Sequence, residues 1–118
     1  MMTLVCGLPN AGKTTYSQRF RNVIHLDEVG RTSRVCEMVS GQDDVCVEGV
    51  FPTAWRRRRV RESYDGPARL IWLDMPPDEC KRREDRGRPE FILENAARYF
   101  EPPTYDEGWD EIEIIRDV

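Results

Sequence analysis

The sequence contains little histidine and little lysine. His25 is its one histidine, and Lys13 and Lys81 are the two lysines among 18 basic residues. The four cysteines include no Cys-x-x-Cys pair, so a typical Cys/His zinc site is not expected. Cys6 and Cys46 fall within apolar runs, which predicts that they are buried, reduced thiols.

The chain also lacks a long apolar run. No stretch approaches the roughly 20 apolar residues that a membrane span needs, and the first residues show no basic segment typical of a secretory signal. The net charge of −4 argues against a large nonspecific nucleic-acid surface. We therefore expect residues 1–118 to form a single domain of a cytoplasmic protein with no membrane partner.

Short apolar runs alternate with helix-compatible segments along the chain. The runs lack clean polar alternation, as strands covered on both faces do. Strands that alternate with helices predict a three-layer α/β fold around a five-stranded, mostly parallel sheet. The predicted strands are 3–6, 23–26, 45–48, 69–74 and 112–115. The predicted helices are 13–21, 32–39, 53–63, 77–87 and one after Pro89 with Ile92, Ala96 and Tyr99 on one face.

The segment 7–14, Gly-Leu-Pro-Asn-Ala-Gly-Lys-Thr, lies between the first predicted strand and the first predicted helix. It matches the phosphate-binding loop Gly-x-x-x-x-Gly-Lys-Thr in the context that confirms this motif. Its glycines allow backbone turns in which successive N–H groups face an anion. The Lys13 ammonium would reach the β and γ phosphates, and the Thr14 hydroxyl would ligate Mg²⁺. The predicted nucleotide-binding residues are Gly7, Pro9, Asn10, Ala11, Gly12, Lys13, Thr14 and Thr15.

Two acidic residues follow the second and third predicted strands. Asp27 is placed to face the terminal phosphate from the acceptor side and to take a proton from an attacking hydroxyl. Its neighbour Glu28 competes for that role, and a helix cap is the structural alternative. Glu48 stands where such folds place the carboxylate that holds Mg²⁺. The alternative for Glu48 is a strand-end acid paired with an arginine.

Arginines concentrate in two segments. Arg82 and Arg86 are one helical turn apart, so on one helix face they would converge on the transferring phosphate from a mobile lid at about residues 82–90. The alternative is a solvated charged helix. The run 56–61 holds five arginines, which point all round a helix. Either some of them bind an anionic substrate or most form a solvated face.

Taken together, these motifs resemble the small P-loop kinases typified by the kinase domain of phage polynucleotide 5′-hydroxyl kinase. The resemblance covers nearly the whole chain and implies a phage or bacterial protein that uses ATP and Mg²⁺. It implies that Lys13 and Thr14 hold the phosphates and the metal, and that Asp27 is the general base. Arg86 would be the lid arginine on the donor phosphates, with Arg82 supporting it. One departure is Glu48, where the family commonly has Asp.

The resulting hypothesis is an ATP-dependent phosphotransferase that moves the γ-phosphate to a hydroxyl acceptor. A nucleic-acid 5′-hydroxyl end is one acceptor class, and a nucleoside, sugar or other small metabolite is the alternative. A different class is a nucleotide-binding switch that hydrolyses ATP slowly or not at all. A toxin-like kinase that acts on a macromolecule is a further possibility.

Overall fold

The computed structural model describes residues 1–116 of the chain. Five strands form one sheet in the spatial order β2-β3-β1-β4-β5, and every neighbouring pair is parallel. The strands are β1 Met2–Gly7, β2 Val23–His25, β3 Val45–Gly49, β4 Ala68–Leu73 and β5 Glu111–Ile115. The helices are α1 Lys13–Ser17, α2 Leu26–Val29, α3 Thr32–Val39, α4 Ala54–Glu62, α5 Pro77–Arg82 and α6 Glu90–Tyr99, with a 3₁₀ turn at Tyr105–Glu107.

Both faces of the sheet are covered by helices. On one face, residues of α3 and α4 pack with the sheet, including Val35, Val39 and Val60. On the other face, Cys80 of α5 and Leu93 of α6 are buried against it. The three layers and the five-stranded sheet confirm the predicted fold class. Within the described part of the chain, no helix is both long enough and apolar enough to cross a bilayer.

The sheet topology places one crevice at its carboxyl edge. The chain leaves β1 towards β2 on one side and later reaches β4 on the other side of β1. Strand order therefore reverses between β1 and β3, where parallel α/β sheets bind their ligands. The two cysteines of these strands, Cys6 and Cys46, are buried free thiols, as predicted. Burial raises the pKa of each thiol to about 12, so neither is reactive near neutral pH.

Several element boundaries differ from the sequence prediction. The predicted first helix extended to residue 21, but α1 ends at Ser17 and is followed by tighter turns. The predicted helix 77–87 ends at Arg82. On the face predicted for the last helix, Ala96 packs against the core, but Ile92 and Tyr99 are 40% and 64% exposed, and the buried residue of α6 is Leu93.

The structure also buries an ion pair that the sequence did not indicate. Arg57, in the middle of the arginine run, is fully buried, and its guanidinium donates to both carboxylate oxygens of Glu107 at 2.8 and 2.9 Å. It also donates to the carbonyls of Phe51 and Glu101. Burial raises the pKa of Glu107, but the hydrogen bonds from Arg57 and from Trp109 outweigh it and leave this pKa below its usual value.

Replacing Arg57 with methionine should destabilise the protein strongly. The change leaves the Glu107 carboxylate buried without its counter-charge, which costs about 3–5 kcal/mol of unfolding free energy. Urea denaturation followed by circular dichroism measures this loss. Arg58→Met is the matched control, because Arg58 lies on the same helix but is exposed. Equal stability of the two variants would show that the ion pair does not hold the fold together.

Candidate active site

The phosphate loop connects β1 to α1 and has the backbone shape that its glycines allow. A Cβ atom at Gly7 would lie 2.8 Å from the carbonyl oxygen of Leu73, so only glycine lets the end of β1 pass β4 this closely. Gly12 precedes α1 with a φ of 97°, a left-handed conformation that favours glycine. Asn10 has a φ of 68°, which asparagine tolerates better than most residues. The segment 7–14 therefore connects β1 to α1 in a backbone shape that depends on its glycines.

Lys13 is the first residue of α1, and its side chain contacts the loop. Its side chain is buried, and Nζ donates to the carbonyl of Leu8 at 2.7 Å. Burial lowers the pKa of the ammonium group, whereas the charges of Glu48 and Asp27 act to raise it. These two carboxylates favour the charged form of Lys13, which is the form that attracts a phosphate.

Glu48 lines the crevice, and its two carboxylate oxygens differ in their surroundings. His25 and Glu48 are partners in the β2–β3 register, and His25 Nδ1 lies 3.2 Å from Glu48 Oε1. The other oxygen, Oε2, is buried and has no hydrogen-bond partner among residues 1–116. A buried acceptor without a partner is costly and rare, so Oε2 is suited to a ligand that the protein itself does not supply.

This arrangement fits a magnesium ion. Mg²⁺ in nucleotide sites typically takes one or two protein oxygens and completes its shell with water and phosphate oxygens. Thr14 and Glu48 both line the same cleft and can provide such oxygens. Within residues 1–116 no group of three or more His, Cys, Asp or Glu side chains could hold a metal by itself. Thr14 and Glu48 are therefore the residues that would hold Mg²⁺.

Asp27 lies one step beyond the predicted strand end. Strand β2 stops at His25, and Asp27 belongs to the first turn of the short helix α2. The carboxylate still reaches the cleft, where it stands with Lys13 and Glu48. Glu28, the competing candidate, is exposed and does not line the cleft. The structure thus brings Asp27, rather than Glu28, to the phosphate loop.

The cleft above the phosphate loop has a volume of about 520 Å³. Its acidic side is formed by Asp27 and Glu48, and the loop after α5 contributes arginines. Negative phosphates would therefore meet positive charge from Lys13 below and from the arginines beside them. The lining residues are Pro9, Asn10, Gly12, Lys13, Thr14, Thr15, Asp27, Glu48, Val50, Arg83, Asp85, Arg86, Arg88 and Ile92.

The placement of the two predicted lid arginines differs. Arg86 lines the cleft, but it lies in the loop after α5 and not on a helix with Arg82. Arg82 is the last residue of α5, is 76% exposed and pairs with Glu79, so it does not reach the cleft. Arg83 and Arg88 line the cleft instead, although the sequence analysis did not single them out. The helical spacing used for that prediction does not apply where the helix has already ended.

Replacing Lys13 with alanine should abolish nucleotide binding. The variant loses the buried ammonium at the centre of the loop, whose charge a triphosphate would need. Isothermal titration with Mg·ATP measures the effect. Lys81→Ala is the matched control, since the other lysine lies on α5 and pairs with Glu94 away from the cleft. Undiminished affinity of the Lys13 variant would refute the assignment of this loop.

Comparison with solved structures identifies the fold. No protein-family model and no curated protein sequence matches the chain. The structure is similar to a gluconokinase from Sinorhizobium meliloti 1021, with a TM-score of 0.81 and 14% identity over 98% of this chain and 81% of that chain. It is also similar to a sugar kinase from Janibacter sp. HTCC2649, with a TM-score of 0.71 and 15% identity over 98% of this chain and 84% of that chain. The chain therefore shares its three-layer α/β fold with these two proteins.

Proposed function

We propose that the protein is an ATP-dependent kinase that phosphorylates a hydroxyl group of a small, sugar-like acceptor. The observation that carries this proposal is the cleft in which Lys13, Asp27, Glu48 and Arg86 stand together above the phosphate loop. A passive nucleotide binder needs the loop and a metal ligand, but it does not need a carboxylate on the acceptor side. The fold shared with a gluconokinase and a sugar kinase adds support.

Each side chain then has a defined task. Lys13 and the backbone of the loop bind the phosphates of ATP, and Arg86 neutralises the charge that spreads over the transferred group. Asp27 orients the acceptor hydroxyl and accepts its proton. When bound at Thr14 and Glu48, Mg²⁺ would supply additional positive charge to the phosphate oxygens. Catalysis of this kind depends mainly on positioning and electrostatics.

The arginine run on α4 does not favour a polynucleotide acceptor. Arg57 is buried in the ion pair with Glu107. Arg61 donates to the carbonyls of Gly108 and Tyr64, and Arg59 lies over the ring of Trp55. These three arginines are engaged within the protein, so only part of the run, with Arg56 and Arg58 exposed, is left to meet a nucleic-acid backbone. The sequence-based expectation of a 5′-hydroxyl nucleic-acid end therefore gives way to the small-molecule alternative.

Offering labelled ATP to a panel of acceptors tests the acceptor class. The panel contains gluconate and other sugar acids, neutral sugars, nucleosides, and 5′-hydroxyl DNA and RNA. We expect Mg²⁺-dependent transfer to at least one sugar or sugar acid and none to the nucleic acids. Transfer to nucleic-acid ends alone would reverse this proposal. ATP hydrolysis without transfer to any acceptor would favour the switch class.

Replacing Asp27 with asparagine should separate binding from chemistry. The variant keeps the shape of the side chain but loses the proton acceptor, so kcat should fall by about 10²- to 10⁴-fold while ATP still binds. Steady-state kinetics with the acceptor found in the panel, together with ATP titration, measures both quantities. Glu28→Gln, one residue away and outside the cleft, should retain activity. Full activity of the Asp27 variant would remove this residue as the base.

A further inference from the structure

The loop between α5 and α6, residues 83–89, is here called the lid loop. It carries three arginines that line the cleft, Arg83, Arg86 and Arg88. A short loop outside regular secondary structure needs partners for its backbone N–H groups if it is to hold these side chains in place. The N–H groups of Arg83 and Glu84 bond to carbonyls of α5, whereas those of Arg86 and Arg88 bond to a single carboxylate within the lid loop itself.

Glu84 is the acceptor for most of the polar groups around it. Its Oε2 accepts the backbone N–H groups of Arg86 at 2.9 Å and Arg88 at 3.3 Å. Its Oε1 accepts from Arg88 Nε at 3.0 Å and from Asn10 Nδ2 at 2.9 Å. The bonds to Arg86 and Arg88 satisfy backbone donors that have no helix carbonyl to reach after α5 has ended at Arg82. One carboxylate thus holds the shape of the lid loop.

Asn10 connects this carboxylate to the phosphate loop. Its amide nitrogen also donates to the carbonyl of Cys80 at 3.1 Å, and its amide oxygen accepts from Arg88 Nη2 at 2.7 Å. Asn10, Glu84 and Arg88 therefore form a closed triangle of hydrogen bonds between the two loops. Asn10 itself occupies the left-handed region, where residues other than glycine, asparagine and aspartate are strained.

We propose that Glu84 and Asn10 are positioning residues that hold the lid loop against the phosphate loop and thereby place Arg86 at the cleft. Glu84 acts on Arg86 through its backbone N–H and not through its side chain. This inference rests on the proposed function, because it assigns how the donor-side arginine of that kinase is oriented. It also predicts a property of the loop that does not depend on catalysis. The lid loop is ordered by the protein alone, before any nucleotide arrives.

The ionisation of Glu84 agrees with this role. Its hydrogen bond from Asn10, with further bonds from Arg86 and Arg88, lowers the pKa of the carboxyl to about 2. A carboxyl with a lowered pKa favours the folded arrangement above its ordinary pKa, and the benefit is lost only as the pH falls towards the folded value. The triangle should therefore persist throughout the neutral and mildly acidic range.

Limited trypsin digestion without nucleotide tests the order of the lid loop. The peptide bond between Arg86 and Gly87 is a trypsin site within it, and mass spectrometry identifies fragments 1–86 and 87–118. Cleavage at this bond should be about tenfold faster or more in Glu84→Gln and in Asn10→Gly, because the cleavage rate follows the population of the open loop. The Asn10→Gly change keeps the left-handed backbone at this position. Glu94→Gln, on α6 and outside the cleft, should match the wild type.

Thermal melts establish that each variant is folded at the digestion temperature. If Glu84→Gln and Asn10→Gly are folded and cleaved no faster than the wild type, the proposal is wrong. This outcome does not depend on finding an acceptor, so it is distinct from a failure of the kinase assignment.

Kinetics then separate positioning from a merely structural role. With an acceptor in hand, Glu84→Gln should lower kcat at least about tenfold with a much smaller change in the KM for ATP, since the phosphate loop and Lys13 remain intact. A variant that merely loosened the fold would lose active protein without changing the KM or the kcat of the folded fraction. An unchanged kcat per folded molecule would also overturn the positioning role.

Discussion

The buried ion pair between Arg57 and Glu107 joins α4 to the 3₁₀ turn that precedes β5, the last strand of the sheet. Neither charge is tolerated alone in the interior, because removing an ion from water costs several kcal/mol. The pair is stable here because both partners make further hydrogen bonds within the protein. Arg57 also donates to the carbonyls of Phe51 and Glu101, and Glu107 also accepts from the Trp109 indole. These contacts bring α4, the segment after β3 and the segment before β5 to one point.

The same pair acts on the cleft through the backbone. Phe51 has a φ of 43°, an uncommon conformation for an aromatic residue, and such conformations persist only where neighbouring contacts hold them. The Arg57 guanidinium bonded to its carbonyl provides that contact. Val50, the preceding residue, lines the cleft together with Glu48, which lies two residues earlier in β3. The side of the cleft formed by Glu48 and Val50 is therefore supported from the protein interior by the buried Arg57, which does not itself line the cleft.

Local pattern was enough to predict the five strands and a loop at 7–14 between β1 and α1, because each depends on residues close in sequence. The contacts that a pattern cannot contain were missed. Arg57 and Glu107 are 50 residues apart, and nothing distinguishes Arg57 from its neighbouring arginines until the helix face is known. The prediction that Arg82 and Arg86 share one helix face was wrong for a different reason. The helix α5 ends at Arg82, so a spacing of four residues no longer places the two side chains on one face, and of the two only Arg86 lines the cleft.

Three glutamates show how the fold divides its polar groups between stability and function. Glu107 has both carboxylate oxygens bonded to Arg57 and is fully committed to holding the structure. Glu84 is also saturated, but by donors from two loops beside the cleft, so its bonds fix geometry rather than the core. Glu48 has one oxygen near His25 and one that is buried and finds no hydrogen-bond partner among residues 1–116. Protein donors thus satisfy Glu107 and Glu84 but not Glu48. A metal ion bound beside the phosphate loop would supply the missing partner of Glu48.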